Sequence, residues 1–343
     1  MPENELLELY ADAAASYPPI QPVAVMGMAR GVFIRNPNSI HDKGRQARKR
    51  LENARARIAD CIHAKPWQIG FTPSATAACR AYLNGEHRVY ASPHEHKAVL
   101  SCPGISHVQN LERQALMLAN NETGEIYEDE IKKMAERGKI VFTDATAAMG
   151  HIPVDVQSLG VAGLAAGAHK FGGLCGIGFL YKRGGFMMSE SGNIIDPFPG
   201  TVPVMLADIM ANALQYRTGH MYESECLSAS RQRLEEEILT EIPGSHINAY
   251  GKKKLPGIIS VRFDGVPASR LITALDALGL YVSAGAACSG SSTEPSPTLL
   301  ADGLSEEQAL STIRISMYEA PPPGFTDFIL NALKCAVPRF REG

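Results

Sequence analysis

Four residues in this chain stand where their chemistry could be used. Lys170 lies among alanine and glycine residues, between Ala165, Ala166 and Ala168 on one side and Gly172 and Gly173 on the other, ahead of the apolar run Gly176 to Tyr181. Lysine is seldom buried without a partner, and a desolvated lysine loses proton affinity and becomes a usable amine nucleophile. Lys170 is therefore a candidate Schiff-base lysine, with a surface-loop lysine as the competing reading. Upstream, the β-branched and aromatic run Ile140 to Thr143 stops at Asp144 and gives way to small residues. An acid at the C-terminal end of a strand points into the ligand crevice of an open α/β sheet, unless it caps the next helix. Cys288 stands in a run of Ala, Gly and Ser from Ala284 to Ser292, the composition of an accessible loop, and exposure is what lets a thiol react. Arg314 alternates with Ile313 and Ile315, so on a strand its guanidinium faces away from them and can take a carboxylate through two hydrogen bonds.

These side chains need elements to position them. Trp67 to Thr72 reads as a strand feeding Pro73, Ser74, Ala75 and Thr76 into a helix start. Such a junction is a ready anion site, because free N–H groups and the helix dipole favour phosphate; for Thr76 a plain helix cap is the alternative. A strand over Arg88 to Ser92 leads to His94, Glu95 and His96, and one over Ala115 to Ala119 leads to Asn120, Asn121 and Gly124. A lone histidine is more often structural, and Asn and Gly turn preferences alone would explain the second turn. Strand ends, an acid and a lysine converging on one crevice are the geometry of a doubly wound, mostly parallel α/β domain. An acid beside a lysine there could hold the protonated ring nitrogen of pyridoxal phosphate. Ala47, Leu51, Ala54, Ile58 and Ile62 mark one helical face. Asn38 or Ser39 is expected to cap that helix, and Arg45, Arg48, Lys49, Glu52 and Arg55 are expected on a solvated face. Toward the C-terminus, a strand (Leu255 to Phe263), a helix (Leu271 to Leu278) and a strand (Ser311 to Ser316) predict a small α+β domain.

Composition narrows the function. With 343 residues there is room for one large and one smaller domain. A net charge of −3 provides no global basic field for nucleic acid. No apolar run reaches membrane-spanning length, and the acidic N-terminus lacks a signal-peptide pattern. Seven cysteines without a CxxC pair point to neither a metal site nor a disulfide framework, so reduced thiols in a cytoplasmic protein are expected.

The motifs together carry a resemblance. Asp144, Ala145 and Thr146 followed by Ala168, His169 and Lys170 resemble the class V aminotransferase group of fold-type I pyridoxal phosphate enzymes, and within it the cysteine desulfurases. The same is true of Tyr10 to Ala14, Asn36 with Pro37, Ser39 and His41, Glu95 to Val99, Asn120 to Gly124, the stretch Gly285 to Ser296 and Ile313 to Ser316. The resemblance implies a fold-type I transferase: a large, doubly wound, mostly parallel α/β domain at 20–210 and a smaller α+β domain at 211–343 joined by 1–19. It implies pyridoxal 5'-phosphate as cofactor, held by Lys170, Asp144, His96, Asn121, Thr76, Ala75, His169 and, across a homodimer, Thr201. Arg314 and Asn36 would bind substrate. Lys170, His96 and Cys288 would be catalytic, converting L-cysteine to L-alanine with a persulfide on Cys288 that passes to a protein sulfur acceptor. Selenocysteine lyase, another carbon–sulfur lyase or an aminotransferase is the nearest alternative, and a non-catalytic sulfur-relay protein is the second. The chain departs from the pattern at Ser74, Ala77, Ala147, Gly167 and Phe198, where the family carries glycine, polar residues or arginine. Each lost neutral hydrogen bond is worth roughly 0.5–1.5 kcal/mol, so cofactor affinity is expected to be reduced.

Overall fold

The computed structural model describes residues 9–18, 20–31, 34–84, 88–189, 192–285, 294–318 and 323–341; Cys288 lies outside them. In chain order the elements are β1 (Leu9–Tyr10), α1 (Gln21–Gly31), α2 (Asp42–Cys61), β2 (Ile69–Thr72), α3 (Ala75–Leu83), β3 (Val89–Ala91), α4 (Lys97–Leu100), β4 (Ile105–Ser106) and β5 (Arg113–Ala115). Next come α5 (Glu128–Glu136), β6 (Ile140–Asp144), α6 (Val156–Leu159), β7 (Gly163–Gly167), β8 (Gly178–Lys182), α7 (Val204–Gly219) and α8 (Tyr222–Glu241). The chain closes with β9 (Ser245–Ile247), β10 (Ile258–Phe263), α9 (Ala268–Asp276), β11 (Leu280–Tyr281), β12 (Ser283–Ala284), α10 (Pro297–Ala301), α11 (Glu306–Leu310), β13 (Thr312–Ser316) and α12 (Phe325–Ala336).

Two compact units share these elements. The larger comprises Pro18–Ala119 and Tyr127–Met221, and the smaller Met1–Tyr17, Asn120–Ile126 and Tyr222–Gly343. The sequence-based boundary at 210/211 falls inside α7, a single uninterrupted helix, so the division comes between α7 and α8. The turn at 120–126 also joins the smaller unit, because the Leu255 N–H bonds to Gly124 O and the Ile126 N–H to Lys253 O.

The larger unit is built on a seven-stranded sheet of order β2-β8-β7-β6-β5-β3-β4. Strands β3 to β7 run parallel, and β8 is antiparallel to both β7 and β2. In β6, Val141, Phe142 and Thr143 are buried on both faces, as a central parallel strand requires. The composition of β7 is poor for a strand, yet pairing on both edges holds it extended. Its Gly163 lets the Tyr82 ring of α3 lie on the backbone, since a Cβ there would sit 2.4 Å from Tyr82 Cε2. Beneath the sheet, Ala78, Cys79, Leu83, Val89, Ala91, Val99, Phe142 and Leu180 form a continuous core.

Helix α2 carries the expected apolar face, but its other features differ from the reading of the sequence. His41 is the cap, its Nδ1 accepting from the Gly44 N–H at 3.2 Å, rather than Asn38 or Ser39. Arg55 is 0% exposed rather than solvated. Its guanidinium makes a fork to Asp196 at 2.9 and 3.1 Å, donates to Ile69 O at 2.6 Å and lies 4.6 Å from the Phe71 ring centroid. Trp67 and Gln68 form a 3-10 turn ahead of β2 instead of opening the strand; Pro66 lacks the N–H that strand pairing would use.

The smaller unit has an antiparallel sheet of order β12-β13-β10-β9. Ile259, Val261, Phe263, Ile313 and Ile315 pack with Leu234 and Ile238 of α8, Leu271 and Leu275 of α9, and Ile329 and Leu333 of α12. β1 pairs in parallel with β11. No helix among the described residues is long and apolar enough to cross a membrane.

Candidate active site

In the larger unit, the C-terminal ends of β2, β3, β6 and β7 carry the residues singled out from the sequence. After β2, Ser74 caps α3: its backbone is extended and its Oγ accepts from the Ala77 N–H at 3.1 Å. Thr76 lies inside the first turn and is not the cap. The first N–H groups of a helix have no intrahelical acceptor, so those of Ala75 and Thr76 are donors for an anion. The start of β8 crosses close by. A Cβ on Gly178 would lie 2.8 Å from Ser74 C and 2.9 Å from Ala75 N, so only glycine permits this approach.

After β3, His96 caps α4, its Nδ1 accepting from the Ala98 N–H at 3.1 Å. That bond fixes the ring's orientation and places the proton of the neutral imidazole on Nε2. Asp144 ends β6 and is 6% exposed. Its Oδ1 accepts from the Thr146 N–H at 2.9 Å and its Oδ2 from the Cys79 thiol at 3.8 Å. No cation pairs with it among the described residues.

β7 pairs with β6 through Asp144 and Ala165, then turns through Ala168–Lys170. Lys170 is half-buried, and its carbonyl takes a 2.7 Å hydrogen bond from His151 Nε2. Burial first, then the charges of Arg217 and Lys170, hold His151 at a pKa of about 4 despite that bond. A neutral ring donates its Nε2 proton to the carbonyl and so anchors the lysine's backbone. His169 is likewise held at about 4 by burial and the Lys170 charge. A Cβ on Gly167 would meet Ala75 Cβ at 3.3 Å and His169 Cε1 at 3.4 Å. The glycine thus brings the His169 ring to the start of α3. Thr201 is exposed, shortly before α7, and Asn36 is exposed with its Oδ1 taking the Asn38 N–H at 2.8 Å.

The smaller unit holds Asn121 and Arg314. Asn120 Oδ1 accepts from the N–H groups of Glu122 and Thr123, which shapes the turn. Arg314, on β13 and 1% exposed, donates from NH1 to Asn121 O at 3.0 Å and Gly285 O at 3.4 Å. Its NH2 donates to Asp12 Oδ1 at 2.8 Å. The buried Nε has no hydrogen-bond partner among the described residues. Ser296 donates to Glu122 Oε2 at 2.5 Å. Burial raises the Glu122 carboxyl, offset by that hydroxyl and by the Arg314 charge.

These residues suit pyridoxal phosphate on observations of this structure. Asp144 is a buried carboxylate lacking a cation, which a protonated ring nitrogen would supply. The Thr146 hydroxyl is buried with no partner among the described residues. Donor N–H groups for a phosphate stand at the start of α3, with the His169 ring adjacent. No group of three metal-ligating side chains occurs among the described residues.

The aminotransferase class-V family model matches residues 108–321, well over half of the chain. The chain belongs to the class-V aminotransferase family. Its relatives include the IscS-like cysteine desulfurase of Mycobacterium tuberculosis, 32% identical over 97% of this chain and 97% of that one. The cysteine desulfurase IscS of Dictyoglomus turgidum is 33% identical over 90% of this chain and 89% of that one. Among solved structures, the NifS-like protein from Rickettsia africae superimposes with a TM-score of 0.85 at 21% identity, over 96% of this chain and 99% of that one; that likeness shows the fold.

His151, which holds the Lys170 carbonyl, and Cys79, which donates to Asp144, escaped the reading of the sequence of this class-V chain. Asp12, which holds Arg314, and Glu95, buried in the turn before α4, were read only as members of motifs. Cys79 touches a residue remote in the chain, Asp144, at a separation of 65 residues.

Proposed function

We propose that the chain is a pyridoxal-phosphate-dependent cysteine desulfurase, converting L-cysteine to L-alanine and passing the sulfur on as a persulfide of Cys288. The observation that carries this reading is the placement of Asp144 at the end of β6 and of Lys170 in the turn that follows the adjacent parallel strand β7, with the Asp144 carboxyl group buried.

Lys170 would hold the cofactor through its amine, Asp144 its ring nitrogen, the N–H groups of Ala75 and Thr76 its phosphate, and His96 its ring face. His169, Asn121 and, from a second copy in a homodimer, Thr201 would add contacts. When bound, the cofactor supplies an electron sink for the substrate's α-carbon. Asp144 keeps a proton at the ring nitrogen by ion pairing. The Lys170 amine would move a proton at the substrate α-carbon, and His96, with its proton on Nε2, would donate beside it. Arg314 orients the substrate through its α-carboxylate, for which its Nε–H is available, with Asn36 as the second substrate contact. The Cys288 thiolate attacks the substrate sulfur. A sulfur–sulfur bond forms, the carbon–sulfur bond breaks, and the β-carbon takes up a proton, so cysteine plus thiol gives alanine plus persulfide. The sulfur is oxidised and the carbon reduced, with no outside oxidant. A sulfur-acceptor protein in the cytoplasm then takes the persulfide sulfur.

The test is alanine release from L-cysteine by protein supplied with pyridoxal phosphate. Wild type is expected to form alanine and Lys170→Ala to form none. Bound cofactor with no alanine from L-cysteine would redirect the reading to selenocysteine or amino-group transfer.

A further inference from the structure

Behind Asp144 lie two acidic groups that the proposed reaction does not use. Cys79, on α3, is 0% exposed, and its Sγ is 3.8 Å from Asp144 Oδ2. A carboxylate oxygen only accepts, so the thiol must keep its proton to make this bond. Glu95, in the turn between β3 and α4, is 4% exposed. Its Oε1 accepts from the Met117 N–H, and its Oε2 is buried with no hydrogen-bond partner among the described residues. Two ionised carboxylates with no cation between them are costly to bury.

We propose that Cys79 is a positioning residue for the cofactor's ring nitrogen: its thiol, donated from α3, holds Asp144 Oδ2 in place, beside the buried Glu95 carboxyl group. This rests on the reading of pyridoxal phosphate as cofactor. Asp144 accepts one hydrogen bond on each oxygen, from the Cys79 thiol on α3 and from the Thr146 N–H, whereas Glu95 accepts one, from the Met117 N–H. Burial and the Asp144 charge push both Glu95 and Cys79 well above their ordinary values. Among the described residues, the titratable groups that act on Cys79 are Asp144, Glu95 and Cys102, and the one that acts on Glu95 is Asp144. Cys102 is itself raised by burial and donates to Ala98 O.

The thiol and the Thr146 N–H fix the plane of the Asp144 carboxyl group before the cofactor arrives. A thiol is a weak donor, so it orients Asp144 while drawing off less of its charge than a hydroxyl would. In a pocket that lacks the polar residues expected at Ala147 and Gly167, this preorganisation stabilises the ring end of the cofactor.

Two sets of measurements test the cluster. In the cofactor-free protein, infrared spectra should contain a protonated carboxylic-acid C=O band that disappears in Glu95→Gln. They should also contain a Cys79 S–H band that shifts in Asp144→Asn. In the loaded protein, Cys79→Ala should bind pyridoxal phosphate roughly two- to tenfold more weakly, the range of one lost neutral hydrogen bond. It should also move the pH midpoint of the cofactor's absorbance, and Cys79→Ser should restore affinity. Glu95→Gln, neutral for neutral, should keep the wild-type midpoint. An S–H band unmoved in Asp144→Asn, or Cys79→Ala matching wild type in affinity and midpoint, would overturn the proposal. If wild type takes up no pyridoxal phosphate, the cofactor reading fails instead, and the S–H band still decides whether the thiol holds Asp144.

Discussion

At the scale of single residues, Arg314 shows how structure refines a role read from sequence. Alternation on β13 marked it as facing away from Ile313 and Ile315, and a carboxylate was its natural ligand. The structure adds Asp12, which takes NH2, and two carbonyls, which take NH1. The guanidinium is thus held by its far corner, and the Nε–H remains for a substrate. Lysine lacks this planar fork. Arg314→Lys is therefore expected to raise KM for L-cysteine about tenfold or more, with a smaller effect on kcat. Asp12→Asn should raise KM in the same direction by releasing the fork; steady-state kinetics that leave KM unchanged in both variants would remove Arg314 from substrate binding. Asp12 was legible only as part of a motif, because its partner arises 302 residues later. Lys170 and Asp144 were legible because their apolar strands surround them locally in the sequence.

At the scale of elements, apolar patterning located α2, β6, β8 and β13 within a few residues, because each buries a continuous face or both faces. It could not distinguish a solvated arginine from a buried one. Arg55 shares a helix with Arg45 and Arg48, but Asp196 meets it from a loop that no local pattern announces. Asp196 also accepts the Phe71 N–H at 2.7 Å, so the pair ties α2 to β2, the strand that feeds α3. Truncating one partner of such a pair leaves the other charge buried and costs about 3–5 kcal/mol. Arg55→Ala should therefore lower the denaturant midpoint strongly, and Arg45→Ala, on the exposed face, should change it little. Equal, small effects would mean that the buried pair contributes nothing net. The capping error has a similar origin: Asn38 and Ser39 are good caps by type, but the chain reaches helical geometry only after His41.

At the scale of the whole molecule, the α/β class and the two-unit organisation were readable from the order of strand and helix patterns. The junction was not, since α7 carries no break in its pattern at 210. The membership of 120–126 in the smaller unit depends on pairing to residues near 254, which sequence proximity conceals. Stability against pH also belongs here. His151 has a folded value of about 4, below the ordinary 6.5, so the unfolded chain binds its proton first as pH falls. Its contribution is present above the ordinary histidine value and is lost as pH falls through about 4, at roughly 1.4 kcal/mol for each pH unit separating the two states. Glu95 has the opposite sign. Its raised folded value favours the folded state below the ordinary carboxylate value, and that contribution is lost as pH rises through the folded value. Thermal unfolding across pH should therefore show an acid loss that is reduced in His151→Gln, which can still donate to the Lys170 carbonyl. An unchanged acid limb in that variant would place the titrating group elsewhere. The most direct test of the central claim is the intact mass of the pyridoxal-phosphate-loaded protein after brief exposure to L-cysteine without reductant. The proposed chemistry predicts the gain of one sulfur atom in wild type and none in Cys288→Ala; equal mass in both, with cofactor bound, would contradict it.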